Sequence, residues 1–538
     1  MKQARLPFET LQRECAELLL PRQSNFDNIG RYNQGANLQT RIFDEYAQQA
    51  LEQGVSIFEG YVMPRGQIWQ RWEFADESLM KSQANREYCD RKNMQLFRLR
   101  NDPKSGFTGQ AHESVASLFA FGMQSMWIDL RRDIQNKVVG LSYQSEFIGE
   151  IFVKEDHQGL INVVHHVFSW KAHKADKKWG KNAPPAVKKA MEANNGDQMI
   201  EFIHRIEPNK EYDPERIDEK GKPWRGCYVC IPDQLKFESG GYHSMPRIVS
   251  RFINAPNEEY GRCPAFTILP AIRATQQMML DLMAASELKA MPPMGAHDDM
   301  MDQTVRYAAR EITYGAIDSR GNRRLVPLID GADMSDSFQL LEKLHGHIDR
   351  AFFVDMLQIR NDMKSHVTDS QLYQREEEKG MLLAPLANQE TEWLSVMLDR
   401  ELALMDEAGM MDDMPGELAE AVEAGVGLRV VYDNGLTRAQ EAGAAAGYFR
   451  MQEQFAGLFQ ADPTAVKQFQ QKYPFAKVLD HMGRINGVPA AWEATDDERK
   501  AIKDDDDEAM ANAEALDAAP ILSKVANDLT GLVPANVA

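Results

Sequence analysis

The stretch PRIVSRFINAPNEEYGRCPAFTILPAIRATQQM, residues 246–278, lies where one sequence pattern gives way to another. Its first part continues a series of short β-branched and aromatic runs, and its last part opens a helical pattern from about Pro270 to Ala290. Ile272, Met279 and Met283 share one stripe of that helix. Pro292-Pro293 ends it, because proline cannot continue a helix. The stretch therefore divides a β-rich region from a long helix.

A second helical pattern follows at about 337–358, after a segment of roughly 40 residues with strand-like pieces around the turn DSRGNR. Leu344, Ile348 and Phe352 are in register on one side of this helix. Two helices of about 20 residues, each about 30 Å long, thus bracket a small β insertion.

The residues before this region predict a mainly helical segment followed by a sheet. Helices are expected at 38–58 and, apolar on most faces, at 113–128. Trp69, Trp72 and Phe74 cluster between them after the break at Pro64-Arg65-Gly66. From about 138 to 253 the pattern predicts an antiparallel sheet interrupted by one short helix in PPAVKKAMEA.

The residues after the second long helix begin with the polar, partly basic loop QIRNDMKSHV. Thr368 and Gln371 have capping-box spacing, so a new helix is expected to start there. Gly380 and Pro385 fall inside it and predict a kink. Shorter helices and one strand, LRVVYD, follow, and the acidic, alanine-rich end predicts a solvated tail.

Composition limits the class of protein. The 538 residues suggest about three or four structural units. With 61 Lys+Arg against 81 Asp+Glu, the net charge is −20, the opposite of a simple nucleic-acid binder, whose affinity comes largely from phosphate neutralisation. No apolar run is long enough to span a membrane, and the charged N-terminus lacks the apolar core of a secretory signal. We therefore expect no membrane insertion and residence in a cytoplasm.

The sequence shows no catalytic or cofactor motif. Cys227 and Cys230 form one CxxC without a second ligand pair, which favours a structural strand over a zinc site. His165 and His166 lie in the apolar run INVVHHVF, which a strand explains better than metal binding does. Phosphate-loop, dinucleotide and GxSxG motifs are absent from the sequence. We therefore expect neither an enzyme nor a cofactor.

Six segments in this order resemble the head-to-tail connecting (portal) proteins of short-tailed, podovirus-type bacteriophages. The most specific is 246–278, where Arg251, Glu259-Tyr260-Gly261-Arg262, Pro264 and Leu269-Pro270 keep the family's spacing. Ala384 stands where that family usually has glycine, which leaves the kink to Gly380 and Pro385. The other five segments are YVMPRGQIWQRWEF (61–74), WGKNAPPAVKKA (179–190), VTDSQLYQREEEKGMLLAPL (367–386), YDNGLTRAQ (432–440) and HMGRINGVPAAWEATDDER (481–499).

The resemblance implies an α+β, mainly helical portal fold whose copies form a ring of twelve around a central channel for double-stranded DNA. By this resemblance the chain divides into a wing (1–268), a first stem helix (269–291), a clip (292–334), a second stem helix (335–360), a channel loop (361–368), the kinked long helix of the wing (369–428) and a crown with an acidic tail (429–538).

The same resemblance assigns roles to particular residues. Arg360, Lys364 and His366 are the candidates for touching DNA at the channel loop, although without the resemblance a solvated turn is the simpler interpretation. Arg320, Arg323 and Arg324 are the candidates for clip docking. The stem-interface candidates are Ile272, Met279, Met283, Leu344, Ile348 and Phe352. A wall of net negative charge would let DNA slide, since each phosphate contact adds a barrier to movement.

The implied partners are other copies of the chain, viral DNA, the packaging terminase, the tail adaptor and tail proteins, and the major capsid and internal core or scaffolding proteins. The implied location is the unique capsid vertex of the virion, after assembly in the host bacterial cytoplasm. Two alternatives belong to other classes: an acidic helical scaffold or chaperone without a DNA channel, and a hydrolase that binds a metal ion through clustered carboxylates. Electron microscopy of the purified protein would separate the three.

Overall fold

A computed structural model describes residues 1–26, 42–76, 78–296, 312, 316–328, 334–355, 384–411 and 413–435, with a few further positions between 451 and 479. The chain divides into two compact units, Met1–Gly443 and Ala444–Ala538. The second unit is described at only those few positions, so the architecture below is that of the first.

The first unit alternates helices with antiparallel strands. Its helices are α1 (Lys2–Leu19), α2 (Tyr46–Val62), α3 (Gln83–Arg100), α4 (Phe107–Phe121), α5 (Ala172–Trp179), α6 (Pro185–Glu192), α7 (Pro264–Ala290), α8 (Ser335–Ala351), α9 (Val396–Glu407) and α10 (Gly416–Glu423). A 3-10 turn (Ala384–Ala387) and a π-helical turn (Glu390–Ser395) precede α9.

The strands are β1 (Gln70–Phe74), β2 (Met123–Arg132), β3 (Val138–Ser145), β4 (Ile151–Glu155), β5 (Ile161–Lys171), β6 (Met199–Pro208), β7 (Trp224–Cys230), β8 (Leu235–Tyr242), β9 (Arg247–Arg251), β10 (Met294–Ala296), β11 (Leu325–Pro327) and β12 (Leu428–Tyr432). They form a five-stranded sheet in the order β4-β5-β6-β7-β8, a three-stranded sheet β3-β2-β9, and the pairs β1-β12 and β10-β11. All of these pairings are antiparallel.

These elements confirm the α+β class and the antiparallel sheet predicted for about 138–253. Two helices interrupt these strands, α5 as well as the predicted α6, and the strands belong to two sheets rather than one, because β3 and β9 pair with β2. The strand predicted in LRVVYD is β12. Cys227 and Cys230 lie in β7, His165 and His166 lie in β5, and all five cysteines are free thiols.

The helix predicted at 113–128 is wrong in its second half. Helix α4 ends at Phe121, Gly122 takes the left-handed conformation with φ 80°, and β2 begins at Met123. A glycine just past a helix end adopts this conformation without the steric penalty of a side chain. The sequence does not show where the helical period of α4 changes to the strand period of β2, because both elements are buried and apolar on most sides near Gly122.

Three other helix boundaries differ from the prediction. Helix α2 starts at Tyr46, and residues 42–45 before it are not helical. Helix α7 starts at Pro264, where proline suits the first helical position, and Pro270 lies inside the helix. Helix α8 ends at Ala351, and Phe353 after it has φ 64°, so the segment predicted as helix to about 358 leaves helical geometry at 352–354.

One apolar core holds the helices and the three-stranded sheet together. It joins α1, α2, α4, β2, the first half of α7, the last turn of α8 and α9. Trp69, Trp72 and Phe74 lie in it, with exposed fractions of 1–3%, as their clustering in the sequence predicted. A separate, smaller core lies between the five-stranded sheet and helices α5 and α6.

Candidate functional site

Helices α7 and α8 pack against each other as a pair that is buried at one end and exposed at the other. Ile272 near the start of α7, and Ile348 and Phe352 near the end of α8, are fully buried. Strands β10 and β11, which follow α7 and precede α8, pair at the opposite end. The helix pair is therefore fixed in the core at one end and carries the antiparallel pair β10-β11 at the other.

The exposed end of the helix pair bears large apolar side chains, and we call them the stem surface. Its members are Met283, Leu288 and Met291 of α7 and its C-cap, and Phe338 and Leu340 of α8, each 48–81% exposed. Isolated exposed apolar residues are ordinary, but several on two adjacent helices are typical of an interaction surface.

The six predicted stem-interface residues thus fall into two groups. Met283 is exposed and Met279 and Leu344 are partly exposed, so an interface role for them stays a prediction. Ile272, Ile348 and Phe352 are covered by the chain's own core. Helical periodicity identified the apolar stripe, but it cannot distinguish burial in the same chain from burial by a neighbouring one.

A polar cluster fixes the buried part of the helix pair to the segment before α2. Gln276 of α7 accepts hydrogen bonds from the backbone N–H groups of Phe43 (2.7 Å) and Asp44 (3.0 Å) and donates one to the Asp44 carbonyl (2.6 Å). His345 of α8 pairs with the Asp44 carboxylate at 2.8 Å. Tyr46 stacks on His345 with 3.9 Å between ring centroids and donates to Asp349 at 2.6 Å.

This cluster is suited to positioning rather than to proton transfer. Burial, the hydrogen bond to Asp349 and nearby carboxylates all raise the pKa of Tyr46, so its hydroxyl stays protonated at neutral pH. Tyr46 and Asp349 are 303 residues apart in the sequence, and Asp44 and His345 are 301 residues apart. No local pattern in the sequence could therefore have predicted these contacts.

The hairpin predicted around Asp318-Ser319-Arg320-Gly321 is confirmed. Ile317 and Arg323 form its β-bridge, and Gly321 adopts φ 86° in the turn. The Asp318 carboxylate accepts from the backbone N–H groups of Arg320 and Asn322, both at 2.8 Å, and these bonds lower its pKa. Arg320 and Arg323 are exposed and Arg324 is half-buried, so the turn presents positive charge. Its docking role stays a prediction.

Arg251, the last residue of β9, joins three parts of the first unit. Its guanidinium pairs with Glu155 of β4 and with Glu392 in the π-helical turn (3.1 Å), and donates to the Gly159 carbonyl (2.9 Å). Its backbone N–H donates to Glu392 at 2.9 Å, and its carbonyl accepts from Gln389 at 2.6 Å. Arg251 therefore holds the π-helical turn against β9 and the β4–β5 connection.

The predicted kink and channel loop are only partly within the described residues. Pro385 lies in the 3-10 turn Ala384–Ala387, two residues before the π-helical turn, and the kink itself stays a prediction. Gly380 and the channel-loop candidates Arg360, Lys364 and His366 lie outside the described residues.

A buried charge network, consisting of Glu146, His166, His204 and Arg247, lies between the three-stranded and five-stranded sheets. Arg247 donates to both carboxylate oxygens of Glu146 at 2.6 and 2.9 Å, and contacts His204 Nδ1 at 3.3 Å and His166 Nδ1 at 3.1 Å. Burial alone would raise the pKa of Glu146, but Arg247, His166 and the hydrogen bonds it accepts lower it to about 2. Burial and Arg247 lower the pKa of His204 well below its ordinary value.

None of these clusters has the geometry of a metal centre. Across the described ranges, no group of three or more histidine, cysteine, aspartate or glutamate side chains is placed to hold a metal ion. No helix among the same residues is long and apolar enough to cross a membrane.

Comparison with known proteins identifies the relatives of this architecture. Residues 1–492 match the family described as bacteriophage head to tail connecting protein. A probable portal protein of Bordetella phage BPP-1 is 24% identical over 438 residues, covering 80% of this chain and 76% of the relative. The portal protein of Salmonella phage epsilon15 is 22% identical over 501 residues, covering 91% of this chain and 86% of the relative.

Because the family match extends over most of the sequence, the chain belongs to the bacteriophage head-to-tail connecting proteins, as the resemblance of its six segments predicted.

Proposed function

We propose that this chain is the portal subunit of a short-tailed bacteriophage. Copies of it form a closed ring of twelve at one capsid vertex, around a channel through which double-stranded DNA is packaged and later ejected. The observation that carries the proposal is the family match over residues 1–492, together with two relatives that are named as portal proteins.

The stem surface supports the assembly part of the proposal. In a closed ring each subunit presents one surface to the next subunit through a repeated heterologous interface. The apolar side chains of Met283, Leu288, Met291, Phe338 and Leu340 lack cover in the single chain, and a neighbouring helix pair would bury them. We assign α7 and α8 to the stem on this ground, with residues 1–268 and 369–428 in the wing.

The hairpin supports the docking part. Arg320, Arg323 and Arg324 present positive charge at the end of the helix pair, in a chain whose net charge is −20. Complementary charge mainly sets specificity and association rate. The segment 292–334 would therefore be the clip that binds the terminase during packaging and the tail adaptor and tail proteins afterwards. The wing and crown would contact the capsid and the internal core or scaffolding proteins.

The net charge supports a conduit rather than a DNA-holding protein. Twelve copies would carry roughly −240, so DNA passing through the ring would meet mainly repulsive walls. Arg360, Lys364 and His366 of the channel loop would then contact backbone phosphates, which carry no sequence information directly. In this account the chain performs no chemical reaction.

Native mass spectrometry of the purified full-length protein tests the proposal. The expected result is one dominant assembly of twelve 61.0 kDa chains, with minor species differing by one copy, and electron micrographs of the same sample showing rings with a hole. A monomer or dimer at all concentrations, or a compact assembly without a hole, would contradict it. The second of these results would favour a scaffold.

A further inference from the structure

The five-stranded sheet carries a concentrated basic surface in this acidic chain. Residues 171–189, KAHKADKKWGKNAPPAVKK, contain seven lysines and a single acidic residue, Asp176. They form helices α5 and α6, which cover one side of the sheet. We call the exposed side chains of Lys174, Lys177, Lys178, Lys181, Lys188 and Lys189 the lysine face.

The fold holds several of these lysines in place. The ammonium group of Lys174 lies 4.3 Å from the ring centroid of Trp170, and that of Lys178 lies 5.0 Å from Trp170 and 4.7 Å from Tyr228. Lys188 donates to the Lys181 carbonyl at 2.9 Å. Aromatic faces attract cations, so part of the lysine face is ordered before any ligand arrives.

Helix stability alone does not explain the lysine face. Lys177, Lys178 and Lys189 lie in last turns, where a cation stabilises the helix dipole. Lys174 and Lys188 lie outside the last turns, and Lys181 belongs only to the short 3-10 turn Gly180–Asn182 after α5. Lys171, at the edge of the group, forms an ion pair with Asp197, whereas no ion pair is recorded for Lys177, Lys181 or Lys189 within the described residues.

The chemistry of the lysine face favours a nucleic-acid backbone over a protein partner. Protein interfaces have an apolar centre that is depleted in lysine. Residues 171–192 expose no large apolar side chain, because Trp179, Val187 and Ala190 point into the smaller core. A phosphate backbone requires only positive charge for sequence-independent binding.

Because these exposed lysines surround no apolar centre, we infer that the lysine face is a second contact surface for double-stranded DNA. It lies on the five-stranded sheet and is separate in the sequence from the channel loop. The choice of duplex DNA among polyanions rests on the proposed function, since that function brings the chain and duplex DNA together. The contact is sequence-independent and sensitive to salt, because it consists of lysine–phosphate pairs.

The test is fluorescence anisotropy of labelled 30-base-pair duplexes of two unrelated sequences, titrated with the full-length protein across a range of NaCl concentrations. The test variant combines Lys177→Gln, Lys181→Gln and Lys189→Gln, and leaves the lysines that contact aromatic rings or a carbonyl unchanged. The matched control combines Lys104→Gln, Lys137→Gln and Lys154→Gln, three exposed lysines elsewhere in the described chain.

The wild type is expected to bind both duplexes equally, with affinity falling steeply as salt rises. The test variant should bind at least about tenfold more weakly at about 50 mM salt, and its log-log salt slope should be shallower by about 3, near 0.9 for each lost phosphate contact. The control should stay within about twofold of the wild type. Equal loss in both variants, or no binding at the lowest salt, would overturn the inference.

Native mass spectrometry of the same samples separates this inference from the proposed function. Intact rings whose DNA binding does not depend on the lysine face would overturn only the inference. Failure of the wild type to form rings would count against the proposed function whatever the DNA result. If DNA binding is unchanged but heads no longer incorporate the test variant, the lysine face contacts a protein and the inference is wrong.

Discussion

At the scale of single residues, two glycines from distant parts of the chain lie in close contact. Gly122 ends α4, and Gly261 belongs to the loop before α7. A β-carbon added to either glycine would overlap the carbonyl oxygen of the other. The Glu-Tyr-Gly-Arg part of 246–278 is therefore constrained by backbone packing, because only glycine allows these two segments to approach.

Replacing Gly261 by alanine should destabilise the first unit by about 1–3 kcal/mol, the usual cost of overpacking a well-packed site. Gly109→Ala, inside α4 with open space around it, is the matched control and should leave stability unchanged or raise it slightly. Thermal melting followed by circular dichroism measures both. Equal melting temperatures for the Gly261 variant and the wild type would contradict this packing.

The buried charge network makes stability depend on pH in a defined direction. The unfolded chain protonates His204 near pH 6.5, whereas the folded protein resists protonation because burial and Arg247 lower the pKa. Between these two pKa values the unfolded state binds more protons, so acidification favours unfolding. Glu146 acts in the same direction at lower pH. Its stabilising effect is complete above about 4.5 and is lost as pH falls towards about 2.

The variant His204→Gln should therefore lose less stability than the wild type between pH 7.5 and 5.5. The difference should approach about 1.4 kcal/mol at pH 5.5, one unit below the ordinary histidine pKa. Melting temperatures at the two pH values give the comparison, and each variant serves as its own reference at pH 7.5. Parallel curves for the two proteins would show that His204 does not carry this dependence.

At the scale of elements, the helix pair separates the residues that fold the chain from those available to a neighbour. The double variant Met283→Glu with Phe338→Glu should keep native circular dichroism but fail to form rings, because both side chains are exposed in the single chain. Sedimentation velocity gives the assembly state. Rings of normal size would contradict the placement of the stem surface.

The variant Ile348→Asp places a charge at a buried position of the same helix pair, for comparison with the two exposed positions. Ile348 is fully buried in the core, so a charge there should destabilise the chain itself by several kcal/mol, before assembly is reached. A stable, soluble Ile348→Asp monomer would show that this residue contributes to the interface rather than to the core.

Replacing the hairpin arginines tests docking without changing ring assembly. Arg323→Glu with Arg324→Glu should give normal rings, yet heads carrying it should package DNA or acquire tails several-fold less efficiently, because charge complementarity to an acidic partner is reversed. The matched control is Arg132→Glu with Arg225→Glu, which reverses the charge of two exposed arginines outside the hairpin. Normal packaging and tail attachment by the hairpin variant would disprove the docking role.

Local patterns predicted much of this fold, and long-range contacts set the rest. The period of two between 138 and 253, the proline pair after α7 and the turn chemistry of Asp318 to Gly321 are short-range signals, and each gave the correct element. The change from α4 to β2 was missed because burial hides the period on both sides of Gly122. Arg251, Arg247 and Asp44 were not predicted to join distant segments, because the partners described above lie 43–301 residues away.

At the scale of the whole molecule, the first unit keeps its folding core apart from its exposed apolar and basic groups. One core holds the helices, the three-stranded sheet and the inner end of the helix pair, and the outer end carries exposed apolar and basic groups. Strand β12 pairs with β1, so the chain returns to its N-terminal region before the compact units divide after Gly443. Under the proposed function, the acidic net charge would let DNA slide through the channel, and the lysine face would be a separate contact surface for DNA.

Electron cryomicroscopy of the purified full-length protein tests the proposed channel-forming ring, because it gives both the assembly and the position of the helix pair. We expect a closed ring in which α7 and α8 of each subunit surround the central channel, with the hairpin at 316–324 at one mouth. A ring with the helix pair on its outer rim, or particles without a channel, would contradict it.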